Sequence, residues 1–343
     1  MSHTTTLPSP IGTGHRCRGT TRVRAQRRRR QRRQGIFAMT QQDPRERRVH
    51  RSVMVRETVT TLAPKDGAIV LDLTAGAGGH SEAILEATSN GTVIAFDRDP
   101  QILELAKRRL ERFGDRAQFE LANFAQIGAV CARRRIDRVG GVLADLGVSS
   151  LQLDDAARGF SFDKDGPLDM RMGTDAKRSA AEFLNRGTRE DLLFAIGELG
   201  DEPRAKRVVD AILDARKQAP LRRTCELAEL VARVLGGGAG RHHHPATRTF
   251  QGVRMWINDE LGALEAALPE ALRRLECGGR AVVIAFHGGE DRVVKNIFRD
   301  AEAAGDVVVL TSNPIVPSEA EIQANPRARS ARLRAAERRQ AGG

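Results

Sequence analysis

A glycine-rich loop, Asp72-Leu-Thr-Ala-Gly-Ala-Gly-Gly-His80, follows a short apolar run, and a second run ends in Asp97, 21 residues past Gly76. Glycines let backbone approach a ligand closely. An acid at that separation, closing the next strand, can take both hydroxyls of a ribose. The loop reads GAGGH rather than the GxGxxG that cradles a pyrophosphate, and an acid, Asp72, precedes it. S-adenosylmethionine lacks a pyrophosphate and carries an ammonium and a sulfonium, cations that an acid at the loop can meet. The pattern favours a methyltransferase and leaves a dinucleotide enzyme as the alternative. Two further strand-like runs end at reactive residues: Val139–Leu143 leads to Asp145, ahead of Gly-Val-Ser149-Ser150, and Ala281–Phe286 leads to His287.

These residues need a scaffold that gathers strand ends. Ile69–Leu73, Thr92–Phe96, Phe119–Leu121, Val139–Leu143 and Ala281–Phe286 read as buried strands. Helical stretches separate them. Ser81 can cap one, and Pro100 fits the first turn of another whose Ile102, Leu103, Ala106, Leu110 and Phe113 recur at helical spacing. Strands alternating with helices predict an α/β fold with a doubly wound, mostly parallel sheet. Residues 157–240 read as a small all-helical insertion. Ser179 with Glu182 forms a capping box, Thr188 caps a second helix, and Gly236 to Gly238 stop a later one.

Forty per cent of the 343 residues are apolar, enough for a core, and no apolar run approaches the ~18 residues of a membrane span. The four cysteines are scattered without a CxxC pair, which fits a reducing cytosol and a cytoplasmic protein. The net charge of +12 is uneven: residues 1–38 hold ten Arg and no acid, and residues 327–343 hold six Arg against one Glu. Basic ends suggest a polyanionic partner such as nucleic acid. Residues 1–46 are expected to be a disordered basic tail, of which 1–38 is dispensable or precedes a translation start at Met39. Residues 327–343 are expected to be a second basic tail. The adjacent His242, His243 and His244 do not suit one ion, so no metal is expected.

The stretch Gly141–Asp155 continuing through Arg158–Met172 mixes carboxylates, Gly, Ser and Phe without periodicity. It closely resembles the signature of the RsmH (MraW) family of bacterial 16S rRNA methyltransferases. So do His244-Pro-Ala-Thr-Arg-Thr-Phe-Gln251, Asn258-Asp-Glu-Leu261, Phe286-His-Gly-Gly-Glu-Asp-Arg292, Pro317–Ile322 and Asn325–Ser330. The resemblance runs from about Arg47 to about Arg338. Two departures stand out: Gly288-Gly289 where the family carries Ser-Leu, and Ala75 and Ala77 where it usually carries Phe and Arg.

The resemblance implies a Rossmann-like class I S-adenosylmethionine-dependent fold, with a methyltransferase domain over 47–156 and 241–326 and a substrate-recognition insertion over 157–240. It implies transfer of a methyl group from S-adenosylmethionine to N4 of cytidine 1402 in the decoding centre of 16S rRNA, with the small ribosomal subunit as partner and no membrane. A homodimer stays open. Carried over by position, the donor contacts are Gly78, Gly79, His80, Asp97, Phe124, Asp145 and Gln152.

N4 of cytosine is a weak nucleophile because its lone pair is delocalised into the ring. Asp145, Ser149 and Ser150 are the candidate acceptors for the amine, and His287 could orient the base or take the proton. Phe160 and Phe162 are candidate stacking groups for RNA bases. Arg248, Arg254 and the arginines of 327–339 are candidate phosphate contacts. A DNA amino-methyltransferase and a non-catalytic rRNA-binding assembly factor remain the alternatives.

Overall fold

Short runs of Val, Ile, Leu and Ala become strands because both of their faces are covered, as a parallel sheet with helices on each side requires. The computed structural model describes residues 52–236 and 244–340. Its first half is α1 (Val55–Leu62), β1 (Ile69–Asp72), α2 (Gly79–Glu86), β2 (Thr92–Asp97), α3 (Pro100–Leu110), β3 (Ala117–Leu121), α4 (Ile127–Arg134), β4 (Val139–Asp145) and α5 (Ser150–Asp154). A helical lobe follows, with α6 (Ala180–Arg186), α7 (Arg189–Leu193), α8 (Ala205–Gln218), α9 (Thr224–Leu235) and α10 (Thr247–Asn258). The chain then returns through α11 (Glu260–Arg274), β5 (Leu275–Ala285), α12 (Gly288–Ala303), β6 (Val307–Val309), α13 (Glu319–Ala324) and β7 (Arg332–Arg338).

The seven strands form one sheet in the order β3-β2-β1-β4-β5-β7-β6. β1 to β5 are parallel, and β7 runs antiparallel to both of its neighbours. Successive strand residues face opposite layers. Leu71, Ile94, Phe96, Val142 and Val283 pack with α4, α11 and α12, while Val70, Val93, Ala95, Leu143 and Val282 pack with α1, α2 and α3. The order reverses between β1 and β4, which opens a crevice at the strand ends where ligands of such sheets bind. Among the described residues, no helix is long and apolar enough to cross a membrane.

The doubly wound sheet and the helical insertion are as expected, but three boundaries are corrected. Residues 327–343 are not a basic tail in their described part: β7 is an interior strand between β5 and β6, and its Leu333, Ala335 and Ala336 are buried. Arg334 is buried there because Asp291 holds it through two hydrogen bonds of 2.6 and 3.1 Å. The helical lobe does not end at 240. Its apolar core runs from Phe160 to Ile257, so α10 belongs to the lobe and the chain returns to the sheet near Asp259. Ser81 lies inside α2, whose cap is Gly78. The tail expected over 1–46, together with His242 and His243, falls outside the described residues.

In the lobe, Phe183 stacks on Trp256 with centroids 3.8 Å apart. Gly252 lets α10 approach closely, because a Cβ there would stand 2.0 Å from the carbonyl oxygen of Ala195. Ser179 and Thr188 cap α6 and α7 as their sequences predict.

Candidate active site

The ends of β1, β2 and β4 meet at one cleft, lined among others by Gly76, His80, Asp97, Phe124, Asp145, Ser149, Ser150 and Gln152. The glycine loop is held from both sides. Ala75 N–H donates to the Phe96 carbonyl at 2.7 Å, and Gly76 N–H donates to Asp97 Oδ2 at 3.1 Å. Gly76 and Gly78 have positive φ, 52° and 83°, a conformation glycine adopts without a Cβ clash. Gly78 and Gly79 start α2 at the loop's far end and do not line the cleft themselves.

Asp97 Oδ1 accepts the N–H of Asp99 at 2.9 Å. Burial pushes the Asp97 carboxyl up to about 7, against the hydrogen bonds from Asp99 and Gly76 that pull it down. Asp72 does not reach the cleft. It is fully buried, accepting the Ser81 hydroxyl at 2.6 Å and Thr74 N–H at 3.2 Å, so it braces the loop instead of meeting a ligand cation. Burial raises its pKa, although Ser81, His80 and Thr74 oppose this.

Asp145 sits where β4 ends, with its N–H donated to Thr74 Oγ1 at 2.6 Å. Its Oδ2 lies 3.3 Å from His80 Nε2, close enough to pair but misaligned for a hydrogen bond. Among the described residues, its Oδ1 is buried without a hydrogen-bond partner, as are both ring nitrogens of His80. Burial alone would lower the His80 pKa, but Asp145 and Asp72 outweigh it and the pKa is raised.

Ser149 caps α5. Its hydroxyl accepts Gln152 N–H at 3.2 Å, and Gln152 Oε1 accepts Ser149 N–H at 3.0 Å. Gln152 Nε2 donates to Asp99 Oδ2 at 2.9 Å, so its amide is engaged at both ends and fixes the Ser149-Ser150 turn.

His287 is not brought to the cleft wall. It caps α12, with Nδ1 accepting the N–H groups of Gly289 and Glu290 at 3.1 and 3.3 Å. Nδ1 is therefore the acceptor nitrogen, and Nε2 faces Glu290 Oε1 at 3.1 Å. Gly288 and Gly289, the departure from the family pattern, form the first turn of that helix.

Sequence reasoning missed Glu290, which does line the cleft although it is 2% exposed. Burial opposes its charge, but His287, Arg254 and the N–H of Phe286 together lower its pKa. Glu260, also on the wall, pairs in two 2.8 Å hydrogen bonds with Arg254, which is thereby committed within the protein and not to phosphate. An aligned Glu at the third position of a capped helix was the available signal for Glu290.

Of the expected stacking groups, Phe160 is packed inside the lobe and Phe162 lies half-buried against it. Phe160 is buried, and Phe162 lies 4.9 Å from Phe250 and 4.6 Å from His244 between ring centroids. Arg248, Arg327 and Arg329 are exposed, and Arg327 reaches the cleft rim. Among the described residues, no cluster of His, Cys, Asp and Glu could hold a metal ion.

Asp97, Asp145, Glu260 and Glu290 make the cleft acidic, and Phe124, Leu146, Ala263 and Leu264 make part of it apolar. This wall suits a ligand that is cationic at one end and aromatic at the other. A doubly wound sheet with one reversed strand beside β5 and this cleft at its switch point defines an S-adenosylmethionine-dependent methyltransferase. Residues 47–339 match the sequence profile of the MraW methylase family, and the chain belongs to that family. It is similar to the proteins called ribosomal RNA small subunit methyltransferase H from Geobacter sulfurreducens, 45% identical over 84% of this chain and 98% of that one. The protein of the same name from Acidithiobacillus ferrooxidans is 46% identical over 84% of this chain and 95% of that one. The one from Acidothermus cellulolyticus is 44% identical over 84% and 94%.

Proposed function

We propose that this protein transfers the methyl group of S-adenosylmethionine to N4 of cytidine 1402 in 16S rRNA, acting on the small ribosomal subunit or its precursor in the cytoplasm. The observation that carries the reading is the cleft at the ends of β1, β2 and β4, where Asp145, paired with His80, lines the same wall as Ser149 and Ser150. The names of the relatives supply the substrate class, small-subunit rRNA.

The donor supplies an electrophilic methyl on a sulfonium. This chain's residues hold and orient it. Asp97 takes the ribose hydroxyls, the turn through Gly76, Gly78 and Gly79 gives backbone room, and Phe124 offers a face for the base. His80 and Asp145 meet the methionine end, and Gln152 holds the turn over it. The acidic wall favours the cationic donor over its neutral-sulfur product.

At the acceptor, Asp145 takes a hydrogen bond from N4–H, which draws the lone pair out of ring conjugation as nitrogen becomes tetrahedral. Ser149 and Ser150 are the further acceptors at that mouth. The departing proton goes first to Asp145, with His80 beside it to stabilise the carboxylate. His287 acts through Glu290, by fixing its orientation on the wall. A base inside folded rRNA must leave its stack to reach this depth.

Mass spectrometry of 16S rRNA from cells with and without the gene tests the reading. The methyl on N4 of cytidine 1402 is expected to vanish with the gene and to return on complementation. An unchanged nucleoside at that position would refute the assignment.

A further inference from the structure

Two ion pairs of opposite direction join the end of β2 to the segment between α5 and α6. Arg98 on the sheet side reaches Asp175, with Nε and Nη2 at 3.1 and 2.5 Å from its two oxygens. Asp99 on the sheet side receives Arg158 Nη2 at 2.7 Å. Both sheet-side residues follow Asp97 directly, and the N–H of Asp99 holds the Asp97 carboxylate.

The segment itself is tied to these anchors along its length. Arg158 Nη2 also donates to the carbonyls of Arg171 and Met172, at 2.9 and 3.1 Å. Gln152 Nε2 reaches the same Asp99 Oδ2. Gly173 passes so close to the Arg98 backbone that a Cβ would stand 2.4 Å from its carbonyl oxygen. Arg98 Nη1 donates to the Asn258 carbonyl at 2.7 Å, and the Asn258 side chain takes Met172 N–H and gives to the Met170 carbonyl, each at 2.8 Å. Met172 and Arg98 both line the cleft.

We propose that residues 149–175 form a strap riveted to the end of β2 by Arg98–Asp175 and Asp99–Arg158, and that these four are positioning residues coupling donor binding to the RNA-facing turn. The physical reason is shared geometry. The strap orders the Ser149-Ser150 turn through Gln152, and the same Asp99 that receives Gln152 and Arg158 holds the ribose acid through its backbone. A donor that fixes Asp97 thereby fixes the turn. By linkage, RNA seated on the turn tightens the donor to the same degree. Both opposite charges are placed so that the strap is attracted from each anchor, and Asp99, 1% exposed, has no competing solvent. The inference rests on the methyl-transfer reading above.

The test uses the full chain and three variants, Asp175→Asn, Arg158→Met and Asp99→Asn, with Arg158→Lys as the conservative control. Calorimetry with S-adenosylmethionine, and with S-adenosylhomocysteine, gives donor affinity with and without saturating small subunits. Donor affinity is expected to fall about fivefold to twentyfold in each variant. The wild type is expected to gain donor affinity when small subunits are bound, that gain should disappear in the variants, and Arg158→Lys should recover part of it; a wild type without the gain overturns the coupling. Asp99→Asn with Arg158→Met should be no worse than the weaker single variant, because both break one pair. The KM for donor should rise while kcat at saturating donor and RNA stays within about threefold, a split that a loss of stability alone would not give. If Asp99→Asn fails to fold, the half-exposed Asp175→Asn carries the same readout. Unchanged donor affinity in a folded Asp175→Asn and Arg158→Met, or equal loss of KM and kcat terms, overturns the strap. A wild-type protein that bound no donor would overturn the function instead.

Discussion

Asp145 Oδ2 lies 3.3 Å from His80 Nε2, and the pair closes the end of β4 against the start of α2, while Asp145 Oδ1 is buried without a hydrogen-bond partner among the described residues. One carboxylate thus has one oxygen in touch with an imidazole and one oxygen spare. In the proposed mechanism the carboxylate accepts a proton while the imidazole beside it steadies its charge.

Asp145→Asn keeps the shape and removes both the charge and half of the acceptor capacity. We expect kcat to fall by about 10²–10⁴, the range for a positioned acid–base group, with RNA affinity nearly unchanged. Single-turnover rates at saturating donor and RNA are the measurement. A rate that returns to wild type would leave Asp145 as a binding residue only.

Asp97 gives a pH dependence with a definite sign. Its carboxyl titrates at about 7 in the folded protein, against roughly 4 in an unfolded chain. Between those values the folded state holds a proton that the unfolded state has released, so stability falls as pH rises from about 4 to about 7. Asp97→Asn removes that cost and should raise the Tm of the donor-free protein at pH 8. It should also weaken donor binding by about 1.5–3 kcal/mol, the worth of hydrogen bonds to a charged group. Wild-type donor affinity should rise as pH climbs through about 7, and the variant's should be flat. Titration calorimetry at several pH values, beside thermal melts, reads all three.

Residues 327–343 supply β7, so deleting them should abolish cooperative unfolding rather than merely loosen RNA. Six residue pairs join β7 to β5, and the strand carries Leu333 into the core. Leu333→Ala alone is expected to cost about 2–5 kcal/mol. The exposed Arg327 and Arg329 are the proper probes for RNA. Changing either to Ala should leave the melt unaltered and lower the salt slope of RNA binding by about 0.7–0.9. Circular dichroism melts and filter binding at graded salt separate the two effects.

Gly252→Ala places a methyl against the Ala195 carbonyl and the backbone of Gly200. Neither can step aside without opening the helical lobe, so we expect a loss of at least about 1–3 kcal/mol from overpacking. Hydrogen exchange should show the loss in α6–α10 and leave β1–β5 protected. Uniform loss across the chain would mean that lobe and sheet unfold together.

The sequence patterns carried the parallel part of the sheet well and picked out Asp97 and Asp145, which the fold brings to one cleft, because those features are local. Asp97 could be read from its spacing past Gly76, and the 69–73, 92–96 and 139–143 runs are continuous apolar stretches. β7 was not legible, since Arg-Leu-Arg-Ala-Ala-Glu-Arg looks like a solvated tail until Asp291, 43 residues earlier in the chain, is brought to Arg334. The same holds for Glu290, whose burial depends on His287 and on Arg254 from another helix. Asp72 was misread for the opposite reason: its spacing suits a cation, but Ser81 inside α2 already occupies it. Phe160 follows the same rule, because flanking charges say nothing about which side of a loop the ring takes.

The position of β7 also sets a schedule for making the protein. β7 is the last of the seven strands to be synthesised, yet it stands between β5 and β6. Until residues 332–338 have emerged from a ribosome, β5 has an unpaired edge and β6 has nothing to lean on, a state that invites pairing with other chains. An enzyme whose relatives are named for ribosomal RNA therefore cannot finish its own sheet while β1 to β6 are outside the ribosome and β7 is not. Completion of the sheet waits for residues 332–338 to leave the ribosome.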